Sequence, residues 1–378
     1  MKIFILLLFW SMWFVNFSCR TIIAPLMPVI EDEISISHAL AGSVFSFLSA
    51  GYTVSLLLSG PLSTRIGYKR SILLGFSILV ISVFSIKYTN SYLYLIIVAL
   101  LIGFGAGVYL PSAMPLLTSI FRYHQWGKAI AFHETAASFS IFSIPILTIF
   151  ALRFFYWRNL FFILSLAILL AGLAFWKFSP DVRPPEESRT GFLAVLSRKD
   201  FWIISILWIF AASNGLGLYN MIPLFLVKEN GMALETANTI FGISRIGGLL
   251  MAIMSGFLVD AYGVKRILFF ILLITGLSTI FISIAPSVPI LIAALILQAT
   301  FSTGFFPVTL VAISKITDIN ERSTFTGATI AIGVVFGLGL SPFLLGVAAD
   351  KWSFQTGIFI LGALTVISCA LIGKIKKI

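Results

Sequence analysis

Four ionisable side chains lie deep inside long apolar runs: Arg20, the pair His133 and Glu134, and Arg245. An arginine at the centre of a membrane-length helix costs about 2.5–3.5 kcal/mol even on insertion scales, so ionisable residues in such places are functional candidates by default. Arginine keeps its charge and offers a planar fork that fits a carboxylate, sulfonate or phosphate bidentately. Two guanidiniums facing each other repel unless an anion lies between them. Glu134 is able to take up a proton, and His133 beside it belongs to the residue type whose charge changes near neutral pH. Neighbours on a helix point about 100° apart, so the two cannot face one point equally. At about 1.5 Å per residue, Arg20 lies roughly 16 Å from Glu31 and Arg245 roughly 15 Å from Glu235, which predicts one common depth. Glu134 lies about 9 Å from Lys128, nearer the other face. These spacings also allow a plainer arrangement, a permanent Arg20, Arg245 and Glu134 salt-bridge network with His133 hydrogen-bonded to a neighbouring helix. Uncharged candidates for ligand contact are Tyr219 and Asn220 in SNGLGLYNMIP (213–223), then Tyr52 and Tyr109, a residue type that often serves packing alone.

The elements that position these groups follow from composition. The chain of 378 residues is 59% hydrophobic and only 10% charged, with a mean hydropathy of +1.07. Soluble domains carry about 25% charged residues, which excludes a water-soluble globule. Apolar runs of about 20 residues, enough to cross a ~30 Å hydrocarbon layer, recur throughout, and lipid permits only self-satisfied helices or closed barrels. The pattern predicts twelve helical spans, near 3–30, 38–61, 69–88, 91–119, 127–150, 157–178, 201–227, 235–259, 264–285, 287–314, 323–346 and 354–374. The Pro- and charge-rich stretch SPDVRPPEESRTG (179–191) reads as a linker. It gives an expected division into an N-terminal six-helix bundle (1–178), a cytoplasmic linker (179–200) and a C-terminal six-helix bundle (201–378).

The net charge of +11 sits in short gaps between spans, so it reads as topology rather than nucleic-acid binding. With the N-terminus inside, 18 basic residues face the cytoplasm, including Arg183, Arg189, Lys376 and Lys377, against 5 on the other side. That bias predicts cytoplasmic termini and an integral protein of the cell membrane. Cys19 and Cys369 both fall in apolar runs, and no metal-ligand or cofactor spacing occurs. The apolar run continues past Cys19, so the start reads as a first span rather than a cleaved leader.

The two halves repeat. GPLSTRIGYKR (60–70) returns as GFLVDAYGVKR (256–266), 196 residues on; Pro111 matches Pro307 at the same offset, and Pro145 matches Pro342 at 197. Tandem six-helix repeats of this kind are a transporter architecture. On these residues the chain resembles the major facilitator superfamily over essentially its whole length. The first copy of the family motif supplies Gly60, Arg65, Gly67, Lys69 and Arg70, with Thr64 in place of the acid. The second supplies Gly256, Asp260, Gly263, Lys265 and Arg266, with Ala261 in place of the first base. Glycines there suit turns and close helix approach. In the family this motif locks one side of the two halves together.

The resemblance implies an all-α polytopic fold of two pseudo-symmetric six-helix bundles, acting as a monomer. It also places helices 1, 5 and 8, which carry all four buried charges, along a central cavity. An arginine on helix 8 is similar to monocarboxylate porters, and one on helix 1 to porters of sugar acids. The glycine-rich antiporter signature is missing from SFSIFSIPIL (138–147), and ALLIGFGAG (99–107) has Ala99 where many proton-coupled members carry arginine. The series Gly103, Gly105, Gly107 reads as helix packing rather than a nucleotide loop, having no strand before it. The expected function is a secondary transporter of a small organic anion, coupled to protons by symport. An exporter of amphipathic or drug-like compounds is the alternative, and a membrane sensor without transport a remoter one. No nucleophile, base and orienting group recur at a spacing that would make an enzyme.

Overall fold

The computed structural model describes residues 2–122, 125–182 and 195–375. Most of the expected linker, with Arg183 and Arg189, and the terminal Lys376 and Lys377 lie outside the described residues. Among the described residues, eleven helices are long and apolar enough to cross a membrane: α1 (Lys2–Ile34), α2 (His38–Ile66), α3 (Tyr68–Tyr88), α4 (Tyr92–Ile120), α5 (Lys128–Leu152), α6 (Trp157–Phe178), α7 (Lys199–Glu229), α9 (Val264–Ile284), α10 (Val288–Ile316), α11 (Thr324–Lys351) and α12 (Phe354–Lys374). Between α7 and α9 comes α8, whose two pieces, Leu234–Ile243 and Ile246–Tyr262, meet at Ser244 and Arg245. Each expected span thus has its helix, and the eighth is interrupted at its own arginine.

Local chemistry sets several boundaries. Ser91 starts α4 by accepting the Tyr94 N–H, and Ser353 starts α12 by accepting the Thr356 N–H. Asp318 and Glu321 form a capping box on the helix turn that leads into α11. Gly67 and Gly263 take φ of 87° and 84° in the turns before α3 and α9, a conformation that only glycine adopts without strain. The motif glycines Gly60 and Gly256 differ from expectation. Both sit inside helices, and a Cβ on either would meet nothing within 4 Å.

The chain divides into two compact units: residues 1–36 with 44–187, and residues 37–43 with 188–378. In the first, α2 and α4 touch backbone to backbone. A Cβ on Gly51 would lie 1.9 Å from the Leu100 carbonyl oxygen, and one on Gly103 would lie 1.9 Å from that of Leu48. Gly105 meets the Gly75 carbonyl of α3 in the same way, at 2.8 Å. The glycine series of α4 is therefore a packing surface, as close membrane helices require. Hydroxyls join α1 to α5: Ser140 Oγ lies 3.1 Å from Ser18 Oγ and 3.0 Å from Thr21 Oγ1.

In the second unit α7 carries two π-helical stretches, Ser213–Leu218 and Phe225–Glu229, and α11 carries one, Val334–Leu340. The widened turns pack glycine against small residues: a Cβ on Gly337 would strike Ala212, and one on Gly217 would strike Ser341. Asn214 in the first π stretch ties three further helices. It donates to Thr365 Oγ1 at 2.8 Å, accepts from Thr279 Oγ1 at 2.7 Å, and its carbonyl accepts from Gln298 Nε2 at 3.1 Å. His38 and Ala39, which group with this unit, donate their N–H groups to the Asp350 carboxylate at 3.0 and 2.9 Å.

Both units fasten their sixth helix at its two ends, and they do so with residues 196 positions apart. Glu33, at the end of α1, accepts from the Trp157 indole at 2.5 Å and from Tyr156 and Arg158 at the start of α6. Glu229, at the end of α7, accepts the Phe354 N–H at the start of α12, at 2.6 Å. At the opposite end, Lys69 donates to the Ser179 carbonyl closing α6, at 2.7 Å. Lys265 donates to the Gly373 and Ile375 carbonyls closing α12, at 3.3 and 3.1 Å. A carboxylate at a helix start and a cation at a helix end both oppose the helix dipole favourably.

Two outcomes test this packing. Glu33→Ala leaves three donors without their acceptor and Glu229→Ala leaves one, at about 1–3 kcal/mol for each charge-assisted interaction lost. The melting temperature of the detergent-solubilised protein should therefore fall more for Glu33→Ala; equal or absent shifts would contradict the clasp. Gly103→Val must push α4 off α2 and should abolish the monodisperse peak in size-exclusion chromatography, whereas Gly60→Val, which meets open space, should keep it.

Candidate functional site

Arg20 sits near the end of the first part of α1, two residues before the junction at Ile22, whose N–H still bonds the Ser18 carbonyl at 3.0 Å. Pro25 and Pro28 follow, and each removes a backbone donor from the next turn. Long side chains on a helix lean toward its N-terminus, and the Arg20 guanidinium accordingly lies over rings one and two turns earlier. Its Cζ is 4.3 Å from the Phe17 centroid, 5.6 Å from that of Trp13 and 4.8 Å from that of Tyr52 on α2. Such cation–π contacts contribute about 0.5–2 kcal/mol each. Arg20 Nε and Nη2 are buried with no hydrogen-bond partner, and so is the Trp13 indole nitrogen.

Arg245 occupies the interruption of α8. Its N–H reaches back only three residues, to the Gly242 carbonyl at 3.1 Å, and its own carbonyl accepts the Gly248 N–H at 3.1 Å. The residue is 7% exposed. Its Cζ stands 4.9 Å from the Tyr219 ring of α7 and 5.2 Å from the Phe241 ring, and these two rings pack at 4.6 Å. Arg245 Nε and Nη2 again have no hydrogen-bond partner; neither do the Tyr219 hydroxyl and the Asn220 Nδ2, both buried. Three of the residues singled out in the sequence, Arg245, Tyr219 and Asn220, thus carry orphan donors within one unit.

The other pair lies on α5. His133 is fully buried, while the Glu134 side chain is 46% exposed, as their angular separation demands. Nδ1 of His133 lies 3.0 Å from Glu134 Oε1, so the carboxylate is engaged by its neighbour. The imidazole is stacked with Trp13 at 5.7 Å and with Tyr109 at 5.9 Å, and Trp13 stacks on Tyr109 at 5.4 Å. Tyr109 Oη donates to the Phe9 carbonyl at 2.9 Å and lies 3.1 Å from His133 Nε2. Trp13 therefore joins the two centres of the first unit, one ring meeting both the Arg20 guanidinium and the His133 imidazole.

The motif residues stand apart from these centres. Arg65, Arg70, Asp260 and Arg266 are exposed, and Lys69 and Lys265 serve the helix ends described above. Thr64, which replaces the motif acid, bonds back to the Pro61 carbonyl of its own helix. Sequence reasoning missed Trp13, Phe17 and Phe241, the rings that cradle the guanidiniums. The signal was present: they precede their arginines by seven, three and four residues, on one helix face.

Known proteins share this architecture. The chain is 24% identical to the 4-hydroxybenzoate transporter PcaK of Acinetobacter baylyi over 86% of its length and 80% of that protein. It is 24% identical to the hexuronate transporter of Bacillus subtilis over 96% of its length and 92% of that protein. With one MFS-type transporter of Bacillus subtilis, 28% identical, the chain aligns over 46% of that protein's length. The crystal structure of a D-xylose–proton symporter superposes with a TM-score of 0.84 at 17% identity, covering 99% of this chain and 98% of that one. The pattern that defines the Major Facilitator Superfamily matches residues 9–243 and 207–376. With twelve helices in this arrangement, the chain is an integral membrane protein and belongs to the Major Facilitator Superfamily of small-molecule transporters.

Proposed function

We propose that this protein carries a small organic anion, a carboxylate, across the cytoplasmic membrane by alternating access, in symport with a proton. Arg20 and Arg245 are the cationic groups that the cargo engages in the course of transport, with Tyr219, Asn220 and Tyr52 as accessory contacts. Glu134 and His133 carry the proton. The bias of basic residues puts both termini in the cytoplasm, and one chain suffices as the working unit.

The observation that carries the reading is the set of orphan donors: Arg20 Nε and Nη2 in one unit, and Arg245 Nε and Nη2, Tyr219 Oη and Asn220 Nδ2 in the other. A buried donor left unsatisfied costs about 1–3 kcal/mol, more when charged. Water would fill such valences but leave both charges uncompensated; a carboxylate supplies acceptors and charge together. The cargoes for which two relatives are named, 4-hydroxybenzoate and hexuronates, are carboxylates. The aromatic rings beside both arginines add flat apolar walls of the kind small-molecule sites use around a few polar anchors.

Uptake of radiolabelled 4-hydroxybenzoate and glucuronate into proteoliposomes tests this directly. Arg20→Ala and Arg245→Ala should each lower uptake about 30-fold or more, from the loss of a bidentate charged contact. Arg→Lys at either position should fall between, since it keeps charge and loses the fork. Full uptake in both alanine variants would sink the anion site. Export of a cationic dye without carboxylate uptake would favour the exporter instead. Glu134→Gln should remove the stimulation of uptake by an inward proton gradient while leaving exchange of labelled for unlabelled anion. Undiminished stimulation in that variant would remove Glu134 from the proton path.

A further inference from the structure

The stack around His133 contains more order than a titrating side chain needs. A tyrosine hydroxyl has one hydrogen, and that of Tyr109 is directed to the Phe9 carbonyl at 2.9 Å. At the contact with His133 Nε2, 3.1 Å away, the hydroxyl is then the acceptor, so Nε2 must carry a hydrogen. The tautomer of a histidine follows from such partners. With Nε2–H fixed, Nδ1 meets Glu134 Oε1 at 3.0 Å, and that contact is attractive only with one hydrogen between the two atoms. Without it, an imidazole lone pair would face a carboxylate oxygen.

We infer that Tyr109 is a positioning residue of the proton site: by accepting from Nε2 it obliges Nδ1 of His133 and Oε1 of Glu134 to share a single proton. This inference rests on the proposal that Glu134 and His133 carry the coupling proton, and it names the atoms and the count. An incoming proton binds between Nδ1 and Oε1 and changes the charge of the pair from −1 to 0. When it leaves, the two atoms face each other with lone pairs only, and Glu134, half in the open, is driven from His133. One proton therefore switches one contact. Three walls hold the imidazole still meanwhile: Trp13 from α1, Tyr109 from α4, and the body of α5.

The charged and titratable groups around this site are few among the described residues. Glu134 comes from the same helix and Tyr109 from α4. Arg20 on α1 lies behind the Trp13 ring, 5.6 Å from its centroid, and Tyr52 of α2 lies against Arg20. On the α6 side, Phe175 packs on Phe9 at 5.4 Å and brings no charge. Release of the proton thus leaves a carboxylate within electrostatic reach of Arg20, and the Trp13 ring, which meets both the Arg20 guanidinium and the His133 imidazole, ties the proton site to the anion site.

Nuclear magnetic resonance of the full chain in lipid nanodiscs, with 15N-histidine and His38→Gln and His124→Gln so that His133 is the one histidine left, reads the two nitrogens without any cargo. The expected spectrum shows Nε2 bearing hydrogen across the whole pH range and Nδ1 alone changing. Tyr109→Phe keeps the ring stack and removes the acceptor. In its deprotonated form the imidazole is then free to move its hydrogen to Nδ1 and donate to the carboxylate. That favours the proton-free state, so the variant should show mixed tautomers. Its carboxylate uptake should need roughly three- to tenfold more protons for half-maximal rate, the worth of about one hydrogen bond. A wild-type spectrum with hydrogen on Nδ1 and none on Nε2, or an unchanged tautomer in Tyr109→Phe, overturns the inference, and the wild-type reading stands whether or not the variant folds. Failure of the transport proposal looks different: neither carboxylate is taken up, while the tautomer remains as stated.

Discussion

The hydrocarbon layer offers no hydrogen-bond partner, so every span must close its own backbone ladder and every polar side chain must find an acceptor or donor within protein, water or cargo. Most of this chain obeys with short-range means. Serine and threonine hydroxyls return to carbonyls three or four residues back along the spans, as Ser71, Thr118, Thr309 and many others do. Asn214 has its donor and acceptor atoms met by α9, α12 and its own helix. Among the described residues, neutral groups such as the Ser205 and Thr329 hydroxyls and the Trp208 indole nitrogen also lack a partner, but Arg20 and Arg245 each leave two charged donors, Nε and Nη2, unmet; an unmet charge costs more in this medium than an unmet hydroxyl.

The internal repeat separates what builds the fold from what uses it. The helix-end clasps recur 196 residues apart in carboxylate and lysine alike, Glu33 with Glu229 and Lys69 with Lys265. The glycine turns recur with them, at Gly67 and Gly263. The arginines do not: the same offset carries Arg20 to Leu216 and Arg245 back to Ser49. Structural fasteners answer to the geometry of a six-helix unit and so appear in each copy. A cargo has no twofold symmetry to match, so under the proposed function the groups that engage it need be placed only once.

The sequence made the spans legible because lipid imposes length and apolarity on each, and the buried charges legible because they violate that pattern. Partners were harder to read. Lys69 and Lys265 stand in the motif that suggested a lock, yet their hydrogens go to carbonyls at the end of α6 and α12, more than 100 residues away in sequence. Glu33 lies beyond the expected first span, and nothing in the sequence pairs it with Tyr156, Trp157 and Arg158, which α6 brings to it. The π-helical turns of α7 and α11 left no sign beyond their glycines and prolines, because a widened turn depends on what packs against it. The glycines of the motif split by backbone angle, which composition cannot show: Gly67 and Gly263 bend the chain, while Gly60 and Gly256 face open space.

Arg245 stands at an interruption of its helix, and Arg20 lies two residues before the junction of the two parts of α1 at Ile22; the proximity has a physical basis. Breaking the ladder frees backbone groups, which lipid-facing helix cannot tolerate but a cavity wall can. A charge that needs partly polar surroundings and a backbone that needs the same are best placed together. Aromatic rings then complete the compromise. Phe17, Trp13 and Tyr52 at one centre, and Tyr219 and Phe241 at the other, hold each guanidinium by its face. They leave Nε and Nη2 of each guanidinium without a hydrogen-bond partner, which a carboxylate from the protein itself would have filled. A ligand shifts a conformational equilibrium only by binding its states unequally. A charge seated beside a break in its helix is well placed for that, because a change of bend there alters the direction in which its open edge points.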